Sequence, residues 1–151
     1  MHKITPFLWY DGTVEEAMSL YRSVFPKSKV LNTSIGPDGG MMSATFELEG
    51  QQLIAFNGGP QQKFTPAVSL YVNCEDQAEV DALWAKLSEG GTESRCGWLQ
   101  DRFGLSWQII PSILPKLLGD ADRARAGRAM NAMLQMKKID IAALERAFAG
   151  E

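Results

Sequence analysis

Ile4-Thr5-Pro6-Phe7-Leu8-Trp9-Tyr10-Asp11-Gly12-Thr13-Val14-Glu15-Glu16-Ala17-Met18 and Ala67-Val68-Ser69-Leu70-Tyr71-Val72-Asn73-Cys74-Glu75-Asp76-Gln77-Ala78-Glu79-Val80 carry one pattern twice. Each begins with aromatic and branched residues, the composition of a strand, and breaks at a polar turn. Each then starts a helix at Thr13 or Asp76, where Glu16 or Glu79 three residues on completes a capping box. Val14, Ala17, Met18, Tyr21 and Phe25 recur at helical spacing in the first copy, and Val80, Leu83, Trp84 and Leu87 in the second.

Outward from these junctions, strand composition returns at Lys29 to Ser34, Met42 to Leu48 and Gln52 to Asn57, separated by the Gly36 to Gly40 loop and the Glu49-Gly50 turn. The second copy offers Thr92 to Cys96, Gly97 to Asp101 and Leu105 to Ile110. Both halves therefore read β, α, β, β, β, and the repeat is the strongest signal in the chain. The reading is α+β: a single domain over 1–151, with a first module at 1–60, a second at 64–111 and a helical extension at 112–151. A lone module leaves one sheet face bare. Two of them are expected to form a curved mixed sheet around a central pocket, with their helices outside. Ile113 to Leu118, Ala121 to Met136 and Ile141 to Phe148 are the helices of the extension, the last capped by Asp140.

The 151 residues, 45% of them hydrophobic, suffice for a sizeable core. Eighteen acidic against 15 basic residues, spread along the chain, build no field for phosphate backbones, so nucleic acid is not an expected partner. Arg123, Arg125, Arg128, Lys137 and Lys138 sit in a helical pattern and read as a solvated face. No run approaches the ~20 apolar residues of a membrane span, and Met1 to Pro6 lacks a signal-peptide core, so a cytoplasmic protein with no membrane partner is expected. Cys74 and Cys96 match neither a disulfide framework nor a zinc pattern and read as free thiols. Met130, Met133 and Leu134 form an apolar edge suited to packing, against the domain or in a homodimer.

Gly97-Trp98-Leu99-Gln100-Asp101-Arg102-Phe103-Gly104-Leu105-Ser106-Trp107-Gln108-Ile109-Ile110-Pro111, Ala55-Phe56-Asn57-Gly58-Gly59-Pro60 and the tail Met130 to Ile141 resemble the PhnB-like branch of the glyoxalase, bleomycin-resistance and dioxygenase superfamily, the vicinal oxygen chelate fold. Metal-using members of that superfamily hold a divalent ion with four side chains on facing strands. Registered on the strand-helix junctions, those positions fall at or near Pro6, Leu53, Ala67 and Gln108, which supply a single weak ligand. His2, the one histidine, lies ahead of the first strand, and Glu47, Glu49, Glu75 and Asp76 fall on strand ends, turns or a cap. No metal and no cofactor is expected.

The branch is also labelled as resembling 3-demethylubiquinone-9 3-methyltransferases, yet no glycine-rich turn leads from a strand into a helix of a parallel α/β domain to hold a methyl donor. With Gln108 inward, strand alternation places Leu8, Ala55, Asn57, Ser69, Tyr71 and Ser106 inward beside it and turns Trp107 and Ile109 toward the helices. These residues line a ligand pocket or fill a closed core. The functional expectation is a metal-free, PhnB-like binder of a small, partly apolar molecule. The alternative is a metal-independent lyase, isomerase or methyltransferase-like enzyme using Tyr71, Asp101 or Cys96 for proton transfer, with Arg95 beside the thiol. A turn role for Asp101 and a structural role for Cys96 are the simpler readings.

Overall fold

The structure is a computed structural model and describes residues 2–151. The chain separates into two compact units, Met1–Phe64 and Thr65–Glu151. Each carries the βαβββ order and its own four-stranded mixed sheet.

The first unit runs β1 (Phe7–Tyr10), α1 (Val14–Val24), β2 (Ser28–Ile35), β3 (Met41–Leu48) and β4 (Gln51–Asn57), with sheet order β1-β4-β3-β2. β1 pairs parallel with β4, and β4 antiparallel with β3. The first strand begins later than its composition suggests, at Phe7, because Pro6 has no N–H for the ladder and offers only its carbonyl, which accepts from Ile54 N at 3.0 Å. Val14, Ala17, Met18 and Tyr21 of α1 are buried, and so are Ala44, Phe46 and Leu48 on β3 and Leu53 and Ala55 on β4. The Tyr10 and Tyr21 hydroxyls meet at 2.9 Å inside that layer.

The expected capping box at Thr13 does not form, since the Thr13 side chain makes no cap bond. Asn57 Oδ1 instead accepts from Val14 N at 3.0 Å, while Asn57 Nδ2 donates to Met41 O at 3.0 Å. A side chain from the last strand thus caps the helix, which a local reading has no means to foresee. Asp76 does cap its helix, accepting from Glu79 N at 2.9 Å, with Glu79 Oε2 reaching back to Glu75 N.

The second unit runs β5 (Ser69–Cys74), α2 (Gln77–Ser88), β6 (Thr92–Glu93), β7 (Trp98–Gln100) and β8 (Ser106–Pro111) in sheet order β5-β8-β7-β6. The helices α3 (Ile113–Leu118), α4 (Arg123–Met133) and α5 (Ile141–Ala149) follow. β6 and β7 are shorter than expected because Cys96 and Gly97 both adopt left-handed backbone, at φ 60° and 83°, which ends the ladder between them. Val80, Leu83, Trp84 and Leu87 of α2 are buried, as are Leu99, Trp107 and Ile109 of the sheet.

A second apolar cluster joins Ile110 to Leu114, Leu117, Ala129, Ile139 and Leu144, so the three C-terminal helices pack onto this unit. Polar contacts fix them in place. Gln77 Nε2 donates to Ile139 O at 2.9 Å, Gln77 Oε1 accepts from Ile141 N at 2.8 Å, and Lys138 pairs with Asp81 at 2.9 Å. Among the described residues no helix is long and apolar enough to cross a membrane.

Candidate functional site

The register of the strands decides which side chains can reach a ligand. In the second unit, Tyr71 stands opposite Gln108 on β5 and β8, and Trp98 opposite Gln108 on β7. Trp107 and Ile109 take the other face, with the buried residues of α2. Tyr71, Trp98, Gln108, Ile110 and the adjoining Cys96 form one wall of a cavity of about 240 Å³. Leu114, Pro115 and Leu118 of α3 with Met133 of α4 form the other. A space of that size suits a small molecule.

The wall contains no charged side chain. Gln108 Nε2 donates to Ser69 Oγ at 3.0 Å, which fixes the amide, and its oxygen has no hydrogen-bond partner among the described residues. Burial first, then electrostatic coupling to Cys74, holds the Tyr71 phenol above its usual value, so at neutral pH it is a hydrogen-bond donor and not a base. Ser69 thus positions Gln108. Ser106 shares their face but is not on the cavity wall; its hydroxyl is buried and makes no hydrogen bond among the described residues.

Leu8, Ala55 and Asn57 are placed differently from the expectation. Their strands turn them toward α1, as the Asn57 cap on Val14 and the burial of Leu8 and Ala55 demonstrate. The open face of the first sheet carries Ile54 and the rings of Phe7, Trp9 and Phe56, with Phe7 tilted against Phe56 at 5.5 Å between centroids and Trp9 edge-to-face with Phe56 at 5.1 Å. The physical reason is one residue. Asp11-Gly12-Thr13 joins strand to helix in the first unit, whereas Glu75-Asp76 does so in the second, and a slip of one residue turns every side chain of a strand to its other face.

Matching hydrogen bonds give the true equivalence: Gly58 N donates to Tyr10 O, and Ser112 N to Cys74 O. On that register, Phe7 and Ile54 occupy the places of Tyr71 and Gln108. The sequence held this signal in the unequal junctions.

Those placements also bear on a divalent ion. Leu53 lies under α1, Pro6 and Ala67 offer no side-chain donor, and the Gln108 amide is held by Ser69. Among the described residues no three His, Cys, Asp or Glu side chains converge as a metal cage. The donor set does not fit the ion that the resemblance implies. Glu47 pairs with Lys29, and Glu49 accepts from Lys27 N at 2.8 Å.

Of the proton-transfer candidates, Asp101 is buried away from the cavity wall. Its carboxylate accepts from Phe103 N, Leu105 N and Trp107 Nε1 at 2.9, 3.1 and 3.0 Å. Its role is the turn. Cys96 does line the cavity, in the strained left-handed conformation noted above.

Cys74 is fully buried. Burial, then the carboxylates of Glu79 and Asp76, push its thiol from 9.0 up to about 12. The folded protein therefore keeps this proton at pH values where the unfolded chain has lost it. The contribution to stability is whole below pH 9 and declines as pH rises toward about 12. Iodoacetamide at pH 8.5 should leave Cys74 unmodified in the native protein and alkylate it in urea; peptide mass mapping reads the result, and rapid native labelling would overturn it.

Known proteins agree with this architecture. The family model for 3-demethylubiquinone-9 3-methyltransferase matches residues 2–110 and so ends before α3. The PhnB protein from Bacillus cereus is 35% identical with a TM-score of 0.69, the match covering 74% of this chain and 100% of that one. Protein PA1353 from Pseudomonas aeruginosa has 21% identity and a TM-score of 0.62 over 74% of this chain and 98% of its own. The fosfomycin resistance protein FosX from Listeria monocytogenes, in a structure with Mn(II) and sulfate, matches at 12% identity and a TM-score of 0.53, over 71% and 90% of the two chains, a likeness of fold alone. No curated protein matches the chain. The length of the family match and the identity to the Bacillus cereus protein make this chain a member of the PhnB-like 3-demethylubiquinone-9 3-methyltransferase family.

Proposed function

We propose that the chain binds a small, partly apolar molecule in the cavity of its second unit and works without a divalent ion. The observation that carries this reading is the cavity wall itself. It sets Tyr71 and a Gln108 positioned by Ser69 against an apolar surface, with no charged side chain for an ionic group or a metal. The family's methyltransferase description is not carried over as an activity, because proton transfer here would fall to a Tyr71 held protonated and to Cys96 without a histidine beside it.

A cytoplasmic location is in keeping with two free cysteines. Self-association would use the C-terminal end of α4 and the residue that caps it, where Met130 and Leu134 are 40% and 45% exposed.

The test is a thermal-shift screen of neutral and charged metabolites on the purified chain, since a ligand that binds only the folded state raises its melting temperature. A neutral compound should stabilise the protein, and Gln108→Ala should weaken its binding about fivefold by removing one hydrogen bond. Unchanged affinity in Gln108→Ala would remove the cavity from the reading. A stoichiometric divalent ion in elemental analysis of the same sample would overturn the metal-free part, and a monomer by light scattering the self-association.

A further inference from the structure

We propose that the helices beyond the family-matched residues decide which molecules the second-unit cavity accepts, selecting uncharged compounds with a compact apolar body and an amide or hydroxyl at one end. This rests on the binding reading above and adds to it the element that sets selectivity.

The cavity is divided at the boundary of the family match. Every hydrogen-bonding side chain in its wall, from Tyr71, Trp98 and Gln108 to the Cys96 thiol, precedes residue 110, where the match ends. Beyond that point the wall is Leu114, Pro115, Leu118 and Met133, all apolar. One side can therefore orient a polar group, and the other can only accept or refuse hydrocarbon by its size.

The apolar side is fixed in place. Cys96 N and Gly97 N both donate at 2.8 Å, to Met136 O and Lys137 O, so the turn beneath the polar wall is bonded to the segment just after α4. Gln77 holds the next stretch through Ile139 O and Ile141 N. Ile139 and Leu144 are fully buried behind it. Leu118 and Met133 pack against that buried cluster, so the apolar side is anchored to the unit that carries Gln108. An ionised ligand would find no opposite charge in the wall to offset the hydration it gives up on contact.

The experiment uses the full chain and three probes, benzamide, 1-naphthamide and benzoate, titrated by ligand-detected NMR. Wild type should bind benzamide more tightly than benzoate, which is charged, and its 1-naphthamide to benzamide affinity ratio is the reference for the variants. Leu118→Ala and Met133→Ala each remove side-chain atoms from the apolar wall. Both residues are only partly buried, so the fold should persist, which circular dichroism checks.

Either variant should raise the 1-naphthamide to benzamide affinity ratio about tenfold, the discrimination a pocket gains or loses with a methylene or two. Gln108→Ala should weaken both amides about fivefold and leave their ratio alone. If Gln108→Ala weakens both probes while neither tail variant moves the ratio, the tail is not the selector and the binding reading stands. If no probe binds wild type or the enlarged variants at millimolar concentration, the binding reading falls and the selectivity proposal falls with it.

Discussion

Replacing Asp101 by Ala should lower the unfolding free energy by about 3–5 kcal/mol, because buried donors left without an acceptor cost about 1–3 kcal/mol each. The carboxylate is 2% exposed and accepts from Phe103 N, Leu105 N and Trp107 Nε1. Asp101 N in turn donates to Leu105 O, so one residue closes the turn between β7 and β8 from both its backbone and its side chain. Asp101→Asn keeps one acceptor oxygen and should lose about half as much. Urea unfolding followed by tryptophan emission measures both, and an Ala variant with the wild-type midpoint would show that the carboxylate does not hold the turn. The effect reaches the cavity. The bond to Trp107 pins that indole on the α2 side of β8, and alternation then turns Gln108 to the ligand side.

Gly97→Ala should cost about 2–5 kcal/mol from two sources. Left-handed backbone at φ 83° costs an L-residue about 1–2 kcal/mol. In addition, a Cβ there would stand 2.7 Å from Ile110 Cδ1, 3.0 Å from Ile109 O and 3.1 Å from Ile139 Cγ1. Crowding of that kind adds about 1–3 kcal/mol. Gly104 is the control, with φ 90° and no neighbour within 4 Å, so Gly104→Ala should show the backbone cost alone. A loss in Gly97→Ala no greater than in Gly104→Ala would mean that the junction between sheet and tail yields freely. Hydrogen exchange at Cys96 and Gly97, whose amides bond to Met136 and Lys137, should accelerate in the Gly97 variant.

The two variants probe the junction that a sequence reading located only in part. Asp101-Arg102-Phe103-Gly104 announces a turn, and the turn role expected of Asp101 is the one the structure gives it. The helices were legible because their stripes are local: Val14, Ala17, Met18 and Tyr21, and Val80, Leu83, Trp84 and Leu87, are buried as their spacing requires. Thr13 was not legible as an idle cap, since the acceptor that replaced it, Asn57, lies on the far strand of the unit. The inward set divided between the units for the same kind of reason. Tyr71 and Gln108 reach the cavity wall, whereas Leu8 and Ala55 turn to α1, because one additional residue before α1 shifted a register that the sequence could align only by its turns.

The sequence by itself determined the repeated βαβββ order, the capped second helix, the poverty of metal-ligating side chains and the helical tail. All of these are set by residues within a turn or two of one another, or by composition. Only the tertiary structure decided which face each strand presents and that α3 and α4 supply the apolar wall opposite Gln108. Strand facing follows from pairing partners distant in the chain, and the position of the tail from backbone bonds such as Gly97 N to Lys137 O, which no local pattern encodes.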